Sequence, residues 1–184
     1  MPPRATPAEY QFQAKAGNVT IAAEFKGHSV PTNEGTLNSE DYVVIETALF
    51  GPPDTKLRLS IGDFTLRING KKNVLPCQPY GLVAGSVKDP EWEPPASSSS
   101  KSKTSLGGGG KDANEPPPSP PPVPIEVRRA MAQHVQKASF PEGDRVLPQA
   151  GLIYFQYRGK TSGIHSIELM YAGPAGKATL ALQP

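Results

Sequence analysis

The chain has 184 residues, 36% of them hydrophobic, and a formal net charge of +2, which is the length and balance of one globular domain and points to no polyelectrolyte partner. Adjacent cations occur at Lys71-Lys72 and Arg128-Arg129, and the rest are scattered, so the basic stripe of a nucleic-acid-binding face is missing. Cys77 is the single cysteine, which rules out an internal disulfide and a cysteine-rich metal site, and no run reaches the ~18 apolar residues of a membrane span.

After a proline-punctuated start, Tyr10, Phe12 and Ala14 alternate with polar residues, and Val19, Ile21, Ala23 and Phe25 do the same, predicting two strands with one dry face each. Ala16-Gly17-Asn18 between them supplies the residues of a tight connection, though the two strands could equally belong to different sheets. Asp41 to Phe50 is nearly continuous in apolar residues of high β propensity, the pattern of a central strand covered on both sides, with Glu46 in its middle. Such a carboxylate is expected to face solvent or pair with a lysine. Gly51-Pro52-Pro53-Asp54 then ends the strand, because proline has no amide hydrogen to donate to a ladder.

Leu57, Leu59 and Ile61 alternate next, then Phe64, Leu66 and Ile68, and Asn69-Gly70 predicts a two-residue type I′ hairpin leading into Lys71 to Leu75. From Asp89 the texture changes. Trp92 sits among prolines, and then come Ser97 to Ser100, Gly107 to Gly110 and the run Pro116 to Pro122, none of which can build a core. The glycines before Lys111 do not make a phosphate loop, since Asp112 follows and neither the preceding strand nor the immediate helix is there. The proline run predicts an extended spacer, and such segments are also read by aromatic grooves of partner domains. On that reading Trp92, Pro116, Pro117, Pro118, Pro120, Pro121 and Pro122 are the candidate partner-binding residues. Pro124 opens a helical pattern to Ala138, with Val127, Met131, Val135 and Ala138 on one face, and three closing strands follow at 152–157, 164–171 and 177–182.

The residues that carry chemistry are sparse. His28, His134 and His165 have no companion histidine or cysteine at ligand spacing, Cys77 has no histidine placed to activate it, and no G-x-S-x-G elbow frames Ser60 or Ser162. Asp41, Glu46, Asp54 and Asp63 fall along strands and in turns, where carboxylates cap or solvate. Asp63 alone offers too few oxygens for calcium.

The strand Tyr42 to Phe50, the run Asp63-Phe64-Thr65-Leu66-Arg67-Ile68-Asn69-Gly70, then Ala150-Gly151-Leu152-Ile153-Tyr154-Phe155 and Ile167-Glu168-Leu169-Met170-Tyr171 before a last strand resemble the small immunoglobulin-like (telokin-like) domains of bacterial secreted proteins and lipoproteins. The resemblance implies an immunoglobulin-like sandwich, an envelope or extracellular address and a role in binding or scaffolding, with no catalytic residues to carry over. This chain departs from the family in lacking a cysteine near its start for a lipid anchor, and in the long connection from Ala84 to Leu147.

The expected architecture is therefore mainly β: one domain over 1–184, an immunoglobulin-like β-sandwich from 10–84 and 146–183, one short helix at 124–138, and a long disordered proline/serine/glycine-rich insertion at 88–123. The expected function is non-enzymatic, binding a protein partner or giving structural support in the bacterial envelope, with no cofactor, metal or nucleic acid. The chain opens without a charged and an apolar signal region, so an exported protein whose signal peptide has been removed and a cytosolic protein both remain open. Two rivals stand beside this reading. One is a cytosolic adaptor recognised through its polyproline segment; the other is a hydrolase or metal-dependent enzyme in which His28, His165 and Asp63 come within about 5 Å of one another.

Overall fold

Strand-forming alternation becomes thirteen strands and two helices in the computed structural model, which describes residues 1–92 and 123–184. In chain order these are β1 (Phe12–Ala16), β2 (Val19–Gly27), β3 (Ser29–Thr32), β4 (Gly35–Ser39), β5 (Tyr42–Phe50), β6 (Lys56–Leu59), β7 (Phe64–Ile68), β8 (Leu75–Gln78), α1 (Tyr80–Ala84), β9 (Val87–Lys88), α2 (Ile125–Ala138), β10 (Gly143–Val146), β11 (Gln149–Gln156), β12 (Ile167–Gly173) and β13 (Gly176–Leu182). The fold is mainly β.

Eight strands form one antiparallel sheet in the order β1-β2-β5-β11-β8-β7-β12-β13. The two sequence blocks thus interleave: β11 from the second lies between β5 and β8 from the first, and β12 pairs with β7. The sheet curls until its ends nearly meet. The carbonyl oxygen of Ala175, in the β12–β13 turn, lies 2.6 Å from where a side chain on Gly17 would begin, and the main core includes Ala16 of β1 together with Leu180 and Leu182 of β13.

β5 is the most buried element. Its alternation sends Val43, Ile45 and Leu49 into the interior beside Phe64, Leu66, Ile153, Phe155, Ile167 and Leu169. On its outer face Tyr42 and Val44 join a second cluster with Leu152 and Tyr154 of β11, capped by Met131, Val135 and Ala138 of α2, while Ala48 packs under Tyr10 in a third. A strand covered on both sides explains the missing period-two pattern of its sequence. The apolar stripe of α2 thus covers the outer face of β5 and β11, beside the small sheet β3-β4-β9.

Several expectations are refined. The β1–β2 connection is a hairpin closed by Gly17-Asn18, with Gly17 at φ 61° and Ala16 opposite Val19. At Asn69-Gly70 both residues take the positive φ of a type I′ turn and Lys71 N–H donates to the Ile68 carbonyl at 3.2 Å, yet no strand starts at Lys71. β8 begins at Leu75, opposite Leu66, so the predicted two-residue hairpin is corrected to a longer loop. The physical reason lies across the chain: the Asn69 side chain donates to the Gly163 carbonyl and accepts from the His165 and Ser166 amides, so the turn is anchored to the entrance of β12. The run 57–61 also leaves the main sheet, because β6 pairs with β10 as a separate two-stranded ribbon.

The chain leaving α2 is stitched to β11. Phe140 N–H donates to the Leu152 carbonyl at 2.9 Å, and Phe140 enters the core edge-on to Phe64 at 5.4 Å. Gly151 makes this approach feasible, since a Cβ there would strike the Phe140 and Ser139 backbone. Gly151→Val is accordingly expected to cost about 3 kcal/mol in urea unfolding. Gly81→Ala, where nothing lies within 4 Å of the added carbon, is expected to be neutral or mildly stabilising. Equal midpoints for the two variants would contradict this packing.

Candidate functional site: a cleft between the small sheet and the long helix

α2 is longer than the sheet face it covers. Met131 and Val135 are buried, whereas Ile125, almost two turns earlier, is 48% exposed. Opposite this first half of α2 stand the end of α1, the Gly85-Ser86 turn and β9, and the space between is an open cleft of about 800 Å³. Val87, Ala84, Val123, Ile125, Met131 and Ala132 give it an apolar lining. Local chemistry holds the wall opposite α2 in place: the Ser86 hydroxyl donates to the Val83 carbonyl at 2.9 Å, and buried Val83 pins α1 to the α2 cluster.

The polar rim is asymmetric. Glu40 is held by Lys88 at 2.8 Å and Asp41 by Arg158 at 2.7 Å, so the acidic side is neutralised. Arg128 and Arg129 on the α2 side make no ion pair within 4 Å among the described residues. The cleft thus combines an apolar trough with uncompensated cations on one lip, and the two carboxylates of its lining, Glu40 and Asp41, are held in ion pairs. Trp92 is at the end of the turn that follows β9, half-buried, its backbone N–H donating to the Asp89 carbonyl at 3.3 Å, and it is not part of the cleft lining. Pro116, Pro117, Pro118, Pro120, Pro121 and Pro122 lie outside the described residues.

The histidines have separate surroundings. His28 lies between β2 and β3 with Nδ1 2.9 Å from the Tyr42 carbonyl and Nε2 2.9 Å from the Gly159 carbonyl, its ring stacked on Tyr157. Carbonyl oxygens only accept, so both contacts are hydrogen bonds only when both ring nitrogens carry protons. His134 borders a small hollow with Glu34, Asp89 and Glu91, and His165 is exposed ahead of β12. Asp63 ends a 3-10 turn, Ile61–Asp63, beside Gly173 and Tyr171, and burial pushes its carboxyl up. His28, His165 and Asp63 share no hydrogen-bond partner, and among the described residues no three His, Cys, Asp or Glu side chains gather as metal ligands. Burial pushes the Cys77 thiol up to about 12, the opposite of nucleophile activation.

Titratable side chains do meet on the outer face of β2 and β5, a cluster the sequence hinted at only through Glu46. Arg4, on the N-terminal arm, reaches Glu46 at 2.9 Å and Glu24 at 2.7 Å, and Lys26 reaches the same two carboxylates at 3.1 and 2.6 Å. The Arg4 guanidinium also lies over the Tyr10 ring, 4.4 Å from its centre. Two cations and two carboxylates that satisfy one another are a clasp, and Tyr10 beneath them seals Ala22, Ala48 and Ala150. Burial raises the Glu24 carboxyl, but hydrogen bonds from Lys26 and Arg4, with their charges, outweigh it and hold the group below its ordinary value of 4.5. Its contribution to stability is therefore complete above pH 4.5 and is lost as pH falls through the lower folded-state value.

Arg4→Met leaves Glu46, 8% exposed, with Lys26 as its remaining ion-pair partner. The expected loss is about 1–2 kcal/mol at pH 7, less than for a fully buried pair because Arg4 and Glu24 are a quarter exposed and Lys26 stays. Chemical unfolding across pH 7 to 3 should show the gap between variant and parent closing below pH 4.5; a gap that stays constant would contradict the clasp.

The chain matches no family model, and no curated protein sequence and no solved structure is significantly similar to it.

Proposed function

We propose that this chain is a non-enzymatic binding module, built as an immunoglobulin-like (telokin-like) sandwich and working in the bacterial envelope or outside the cell, whose recognition surface is the cleft between β9 and α2. The observation that carries the binding reading is the half-exposed Ile125 at the mouth of an apolar cleft whose arginines, Arg128 and Arg129, have no ion-pair partner among the described residues. Apolar surface left uncovered in this way beside unspent charge is the mark of a contact site. Tyr80 and Leu82 on α1, which flank Gly81 of the cleft lining in the chain, are exposed as well.

The sandwich reading is supported by the way β1-β2-β5-β11 and β8-β7-β12-β13 contribute four strands each to opposite sides of one core. The extracytoplasmic address rests on the family resemblance of the strand sequences. Affinity capture from a bacterial envelope extract tests the reading, comparing the parent chain with Leu82→Glu/Ile125→Glu. A specific protein partner retained by the parent and reduced at least tenfold by the variant, at unchanged thermal stability, is the expected result. Equal recovery by both proteins would contradict it.

A further inference from the structure

β9 is the outermost strand of the small sheet β3-β4-β9, and its two residues are paired on one side only: Lys88 opposite Asn38 and Val87 opposite Ser39. In an antiparallel ladder neighbouring residues direct their N–H and C=O groups to opposite edges. One residue of β9 therefore turns its backbone donor and acceptor away from β4. Among the described residues no other backbone bond reaches Val87 or Lys88. Both residues line the cleft, so among the described residues a strand edge without a partner runs along one wall of a space of about 800 Å³.

The other edges lack this setting. Pro31 lies in β3 and blunts that strand against added chains. β10, the outer strand of the ribbon, is exposed along its whole length, and its residues border none of the cavities described. Unlike β3 and β10, β9 combines, among the described residues, an unpaired edge, an apolar wall and unspent charge.

We propose that β9 and the cleft receive an extended acidic polypeptide segment as an added β-strand, an inference that rests on the binding role given above. Main-chain bonds to the β9 edge hold such a segment, and alternate side chains then point to one side. An apolar side chain on that side meets Ile125 and Met131 across the cleft, with Val87 beside it. Carboxylates of the segment meet Arg128 and Arg129, whereas Glu40 and Asp41 are already neutralised by Lys88 and Arg158. Glu126 offsets one positive charge on this turn of α2 but is not part of the cleft lining, so the lip that a ligand touches stays cationic. Two arginines are too few for a nucleic-acid backbone track, and the strand edge needs a peptide's alternating donors and acceptors.

The test titrates the ¹⁵N-labelled full chain with an end-blocked alternating glutamate/valine hexapeptide and with its lysine/valine counterpart. The acidic peptide is expected to shift the Val87, Lys88 and Ile125 amide resonances and to bind at least tenfold tighter than the basic one. Arg128→Glu/Arg129→Glu, exposed positions that leave the melting temperature unchanged, should abolish that preference, and raising the salt concentration should weaken it. Equal binding of the two peptides, shifts confined to another strand such as β10, an unaltered preference in the arginine variant, or no binding would overturn the proposal. If the acidic peptide fails while Leu82→Glu/Ile125→Glu still abolishes partner capture, strand addition falls and the binding role stands; if both fail, both fall.

Discussion

Everything else in the molecule is arranged around one ladder. β5 and β11 pair over their whole common length, from Tyr42 opposite Gln156 to Leu49 opposite Gln149, and so join segments about 100 residues apart in the chain. Each strand is buried on both faces, which ties the interior core to the outer layer through the same backbone hydrogen bonds. Closing a loop of that length costs only the logarithm of its length in entropy, so what the ladder must overcome is modest compared with the apolar surface it buries. A long connection between the blocks is therefore compatible with a stable sheet.

The outer layer is where the proposed recognition surface lies. An eight-stranded sheet curled on itself leaves its exterior to be solvated or covered, and this chain covers it in three ways along β5: α2 over Tyr42 and Val44, an ion clasp at Glu46, and Tyr10 over Ala48. The clasp and the tyrosine are self-satisfied. The helical cover is not, because α2 begins before the apolar surface beneath it is reached, and Ile125 is left beside β9 with Arg128 and Arg129 next to it. The proposed binding surface would arise from an incomplete fit between a helix and its sheet, with no specialised chemistry needed.

The strands were legible because alternation and turn residues are local signals. Val19 to Phe25, the doubly buried run ending at Phe50, and the helix from Pro124 to Ala138 each carry their own period. Pairing was less so. Asn69-Gly70 has the right dihedrals for a hairpin, but its side-chain bonds to Gly163, His165 and Ser166 are made by residues almost 100 positions away, and they moved the start of β8 to Leu75. Arg4 lies in a proline-spaced opening with no periodicity, so its partnership with Glu46 could not be read. The cleft was invisible for the same reason: β9 is two residues long, α1 is five, and Arg128-Arg129 is an ordinary solvated pair until β9 is placed opposite it.

Native-state hydrogen exchange of the β5 and β11 amides probes the central ladder most directly. Amides of Val44 to Ala48 and of Gly151 to Tyr154 should exchange only through global unfolding, with the same opening free energy and the same response to denaturant in both strands. Amides in β11 that open at distinctly lower free energy than those in β5, with no effect on β5, would mean that the two blocks are separate cooperative units and would contradict the account.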